Sequence, residues 1–125
     1  MNDDDVQPGP PLRVTKPMHA IMRALAELDD PPTGYVLCTH TEMGAGSIYP
    51  ALERMEYELG WVEGIWVPAA GYPEGRRRVY STTSTGPEKY AEATRLQAER
   101  RERRRSRRLL RRWRQWRGKA DAPEA

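Results

Sequence analysis

The chain is 125 residues long, which suits one small domain. Hydrophobic residues make up 38% and charged residues 31%, Phe is absent and the mean hydropathy is -0.88, so the apolar material must sit in only part of the chain. The lone Cys38 excludes an internal disulfide, and no signal-peptide core or run of about 18 apolar residues is present, so a chain in a reducing cytoplasm without a membrane partner is expected. The net charge of +3 is unevenly spread: residues 95–119 hold twelve Arg, one Lys and two Glu, a local +11, leaving -8 for the rest.

Residues 1–12 combine an acidic cluster with three prolines and no apolar period, the composition of a disordered arm. From Lys16, the residues Met18, Ile21, Met22, Leu25 and Leu28 form the stripe of an amphipathic helix, with Thr15 as N-cap and Pro17 in the first turn. Asp29-Asp30-Pro31-Pro32 stops it. A short second helix is predicted from Thr33-Gly34 to about His40, with Tyr35, Val36 and Leu37 as its apolar members. After Glu42-Met43-Gly44 a third helix is predicted over 45–59, with Ile48, Leu52, Met55 and Leu59 inward and Gly60 as its C-terminal glycine. Residues 61–67 and 76–81 read as two strands of a hairpin around a loop rich in Gly and Pro. One long helix follows from Thr83, free of Gly and Pro between Glu88 and Arg117, ending at Gly118, with 119–125 as a frayed tail.

The expected fold is therefore mainly α with a small β-hairpin: a winged helix-turn-helix over 13–82, followed by a long Arg-rich C-terminal helix over 83–118. A recognition helix needs an apolar face to anchor it and a face of small or polar residues that can approach base edges. Helix 45–59 offers Ala45, Gly46, Ser47 and Tyr49 at its N-terminal end, away from the Ile48/Leu52/Met55 stripe, and Arg54 further along. Arg76, Arg77 and Arg78 would supply guanidinium groups from the wing; strand alternation puts Arg76 and Arg78 on one face and Arg77 on the other.

The string Gly46-Ser47-Ile48-Tyr49-Pro50-Ala51-Leu52-Glu53-Arg54-Met55-Glu56 resembles the recognition helix of the PadR family, and the likeness continues through Gly60-Trp61-Val62-Glu63, Gly75-Arg76-Arg77-Arg78-Val79-Tyr80 and Thr83-Ser84-Thr85-Gly86. The resemblance implies a dimeric repressor that binds a palindrome of double-stranded DNA, pairs through C-terminal helices and, where it has a small-molecule effector, holds it near the dimer interface. Three features depart from the family pattern. One extra residue lies between Glu56 and Gly60, which rotates a regular helix end by about 100°. The winged part is acidic, with Glu53, Glu56 and Glu58 in or beside the recognition helix. Residues 99–108 of the terminal helix are charged almost throughout, which leaves Tyr90 and Leu96 near its start and Leu109, Leu110, Trp113 and Trp116 near its end as the pairing residues.

Each of these residues also has a plainer role: a cap for Ser47, a partly buried ring for Tyr49, an i,i+4 pair with Glu58 for Arg54, and a solvated strand for the three wing arginines. The competing function is a winged-helix interaction module whose Arg-rich helix binds RNA or an acidic partner. No metal or cofactor is expected, because His19 and His40 stand apart from any ligand set and Cys38 lacks a His-and-acid constellation; no catalytic motif is visible and no enzymatic activity is expected.

Overall fold

The computed structural model describes residues 11–69 and 75–120. Expectations for arm residues 1–10, loop residues 70–74 and tail residues 121–125 fall outside the described residues. The element order is α1 (Lys16–Glu27), α2 (Gly34–Thr41), α3 (Ala45–Glu53), a π-helical turn (Arg54–Glu58), β1 (Val62–Pro68), β2 (Arg76–Thr82) and α4 (Gly86–Ala120).

Helix α1 starts where Thr15 holds an extended conformation and Pro17 occupies the first turn, where a missing N–H costs nothing. Its stripe turns Met18, Ile21, Met22 and Ala24 into the core. Thr33 caps α2 by accepting from the Val36 N–H at 3.2 Å. Of the three apolar members of α2, only Leu37 is buried; Tyr35 and Val36 are exposed, because so short a helix turns only a narrow face to α1 and α3. Cys38 is half-buried and packs against the core.

The predicted continuous helix over 45–59 divides in two. Helix α3 runs to Glu53, and the next five residues widen into a π turn, closed by the Leu59 N–H donating to the Arg54 carbonyl at 3.1 Å. The widened turn absorbs the added residue. Met55 stays fully buried and Gly60, at φ +66°, still delivers the chain into β1. The wing therefore starts from a helix end that is re-phased locally rather than rotated.

Strands β1 and β2 pair antiparallel with Val62 opposite Thr82 and Pro68 opposite Arg76. Trp61, Val62 and Tyr80 close the core beneath them. Gly86 starts α4 in contact with the Trp61 carbonyl, so closely that a Cβ there would overlap the backbone. Two boundaries differ from expectation. Leu12 is not part of a free arm: it packs against the core and its carbonyl accepts from Arg100 at 2.8 Å. Gly118 does not end α4, which continues through Lys119 and Ala120, since a glycine stops a helix only where the chain turns into the left-handed region.

Candidate nucleic-acid interface

The first turns of α3 are anchored from one side only. Ile48, Ala51 and Leu52 are buried, whereas Ala45, Gly46, Ser47 and Tyr49 are all exposed. Pro50 has no N–H, so the Gly46 carbonyl lacks its usual helical partner at the same exposed end. The Tyr49 ring lies across Gly34 of α2, where a Cβ would come within 2.5 Å of it; the missing side chain seats the ring. Helix α2 thus orients a residue of α3, as the pair of helices in a helix-turn-helix must.

On the wing, Arg76 and Arg77 are exposed, but Arg78 is not a free cation. Its guanidinium donates to the Glu56 carboxylate at 2.5 Å and to the Tyr57 hydroxyl at 3.3 Å, and it lies over the rings of Trp66 and Tyr80. Glu56 is nearly buried, with 13% of its side chain exposed, and also accepts from the Gly64 N–H at 2.7 Å. A Cβ at Gly64 would strike the Arg78 guanidinium. The expected partnership of Arg76 with Arg78 is corrected accordingly: Arg78 braces the hairpin against the π turn, while Arg76 and Arg77 face solvent. Arg54 follows the plainer of its two expectations, pairing with Glu58 at 3.4 Å.

Helix α4 leaves the body after its first turns, and residues 101–120 are exposed at every position. Tyr90, expected at a dimer contact, has partners within the protomer. Its hydroxyl and His19 Nδ1 hydrogen-bond at 2.6 Å, and its ring meets His19 and Trp61 edge-on. Burial and the positive charges of Arg101 and Arg23 hold the His19 pKa below its ordinary value. Leu96, Leu109, Leu110, Trp113 and Trp116 are exposed. At about 100° per residue, Glu99, Glu102, Ser106, Leu109, Trp113 and Trp116 fall on one seam at alternating spacings of three and four, the spacing of a helix-pairing stripe.

Two residues that matter most for this geometry, Glu56 and Gln97, were not among the sequence-predicted site residues. Gln97 is buried and accepts from the Val14 N–H at 2.6 Å while donating to the Val14 carbonyl at 3.1 Å, locking the segment before α1 onto α4. Among the described residues, no group of three His, Cys, Asp or Glu could hold a metal, and no helix is long and apolar enough to cross a membrane.

Residues 33–92, from the α2 cap to the first turns of α4, match the model of the family described as "Transcriptional regulator PadR-like family". Similar solved structures include a transcriptional regulator from Streptococcus (19% identity, 75% of this chain and 98% of that one, TM-score 0.47). A PadR-like transcription factor from Bacteroides fragilis is 20% identical over 74% of this chain and 86% of that one, with TM-score 0.46. A PadR family transcription regulator from Clostridium difficile is 19% identical over 76% and 97%, with TM-score 0.44. No curated protein matches the chain.

Proposed function

Since the chain belongs, through residues 33–92, to the PadR-like family of transcriptional regulators, we propose that it is a cytoplasmic repressor that occupies a palindromic operator as a homodimer. A DNA-binding regulator of this family works by occupancy rather than by turnover, so what matters is which surface meets the duplex. The observation that carries the reading is the one-sided anchoring of α3: apolar residues hold its back while Ala45, Gly46, Ser47 and Tyr49 stand exposed at its leading end. Small residues there allow the backbone to approach base edges closely.

In this reading Ser47 and Tyr49 contact bases, Arg76 and Arg77 neutralise phosphates beside the recognition helix, and Arg78 with Glu56 sets the angle of the wing. Arg54 stays with Glu58 and contributes little. Two copies pair through the α4 seam at Leu109, Trp113 and Trp116, flanked by Leu110, with Leu96 nearer the body. The apolar half of that seam is short, so pairing depends on the two tryptophans.

Footprinting on the DNA upstream of the protein's own coding region, with solution mass measured in parallel, tests the proposal. A two-fold symmetric protected site bound by a species of twice the chain mass is expected. The double variant Arg76→Ala/Arg77→Ala keeps the same protected boundaries at lower affinity, and Trp113→Ala/Trp116→Ala halves the mass. The absence of any protected sequence at low salt would sink the reading.

A further inference from the structure

Beyond Arg100, α4 is exposed at every position for twenty residues, about 30 Å at 1.5 Å per residue, with Arg101 and Arg104 still bordering a groove beside Leu12. Placed on a helical wheel, its charges are not evenly distributed. Of the ten arginines beyond Arg100, Arg103, Arg104, Arg107, Arg108, Arg111 and Arg114 fall within an arc of about 140°, Arg101, Arg105, Arg112 and Arg117 lie outside it, and the tryptophans and Leu109 lie on the opposite side. We propose that this arginine stripe is a second, sequence-independent contact surface for the phosphate backbone of double-stranded DNA flanking the operator. The inference rests on the reading of the chain as a DNA-binding regulator.

Three observations select duplex DNA from the anions that could neutralise such a stripe. First, the cations are guanidinium groups, which match phosphate geometry bidentately, and stripe and helix together are about as wide as a major groove lined by two phosphate ridges. Second, a single-stranded nucleic acid is held by aromatic platforms set among the cations, and within the stripe itself there is no aromatic side chain; Trp113 and Trp116 lie on the opposite arc, where Arg117 already covers the Trp113 ring. Third, the open carboxylates that a second copy of this chain would offer, such as Asp29, Asp30, Glu42, Glu53, Glu63 and Glu88, are spread over separate elements rather than set in a row, whereas duplex phosphates form a continuous ladder. A lipid surface would need a broad apolar face, and the arc opposite the stripe holds Glu102 and Ser106 before it reaches Leu109.

The stripe also supplies what the winged body lacks. Outside residues 95–119 the chain carries -8, and two of the four arginines nearest the reading surface, Arg54 and Arg78, are already paired with Glu58 and Glu56. Long-range attraction to DNA therefore has to come from α4, while discrimination between sequences stays with α3.

The test compares the full chain with the variant Arg104→Gln/Arg107→Gln/Arg108→Gln/Arg111→Gln, and with the same four positions changed to Lys. Operator affinity is measured across salt concentrations. Four phosphate contacts per dimer, two from each copy, at about 0.9 per contact in log K against log salt would make the advantage of the full chain over the Gln variant shrink by about 100-fold between 50 and 200 mM salt. The Lys variant keeps most of the slope. Independently of any variant, extending an operator trimmed to its protected bases by about one helical turn of arbitrary sequence on each side raises affinity of the full chain at least about tenfold. Equal slopes for the full chain and the Gln variant, or no gain from the flanks, overturn the proposal while operator binding still stands. Loss of sequence preference in the full chain itself would instead overturn the regulator reading. Tighter binding to single-stranded RNA or to anionic phosphatidylglycerol vesicles than to flanked duplex would assign the stripe to those partners and overturn it too.

Discussion

Gln97→Ala removes the two hydrogen bonds that tie Val14 to α4. Val14 is 2% exposed, so its N–H and carbonyl would be left without partners away from water. An unsatisfied buried group costs about 1–3 kcal/mol, so holding the segment in place would cost about 2–6 kcal/mol. The alternative is to let residues 11–14 peel off and solvate both groups, which forfeits the burial of Val14, worth about 1.5–3 kcal/mol. Peeling is the cheaper response, so we expect a loss of about 2–3 kcal/mol with local opening. Denaturant unfolding gives the loss, and hydrogen exchange at the Val14 amide gives its location. Gln97→Glu separates the two bonds: the carboxylate can accept from the Val14 N–H but repels the carbonyl, so it should recover only part of the loss in the same titration. A Gln97→Ala variant within about 0.5 kcal/mol of the parent, with the Val14 amide still protected, would refute the argument.

Gly86→Ala drives a Cβ into the Trp61 carbonyl and should cost at least about 2 kcal/mol by denaturant titration, whereas Gly118→Ala meets open space and should gain about 0.5–1 kcal/mol of local helix stability, seen as slower exchange of the last amides of α4. Because His19 has a lowered folded pKa, its contribution to stability is complete above its ordinary value of 6.5 and is lost as pH falls through the folded one. A melting-temperature series from neutral to mildly acidic pH should show that slope, and His19→Phe should flatten it. Glu42 caps α2 at φ 58°, where a non-glycine side chain is strained, so Glu42→Gly should stabilise the fold by about 0.5–1 kcal/mol in the same titration; a loss would show that the acidic side chain makes a compensating contact.

Elements built on local periodicity were readable in advance. The Met18/Ile21/Met22 stripe, the Ile48/Leu52/Met55 stripe and Gly60 at a helix end are short-range patterns, and the fold uses them as the pattern implies. What could not be read depends on partners distant in sequence. Strand alternation separates Arg77 from Arg76 and Arg78, but only the approach of Glu56, 22 residues earlier, converts Arg78 from a free cation into a brace. Tyr90 lies on a helical stripe and looks available for pairing until His19, 71 residues away, takes its hydroxyl. The extra residue before Gly60 has no local mark of how it is absorbed; a π turn and a rotated helix end share the same sequence, and buried Met55 decides between them.

The twenty residues of α4 that overhang the body act mechanically as a lever whose fulcrum is the Gln97–Val14 clasp. Over about 30 Å, a tilt of about 10° at the fulcrum moves the far end by about 5 Å, close to one helical pitch. A change too slight to disturb the core, such as a shift of the side chains that line the groove formed by Leu12, Trp61, Lys89, Glu92 and Leu96, would be amplified into a displacement of several ångströms at the far end of α4.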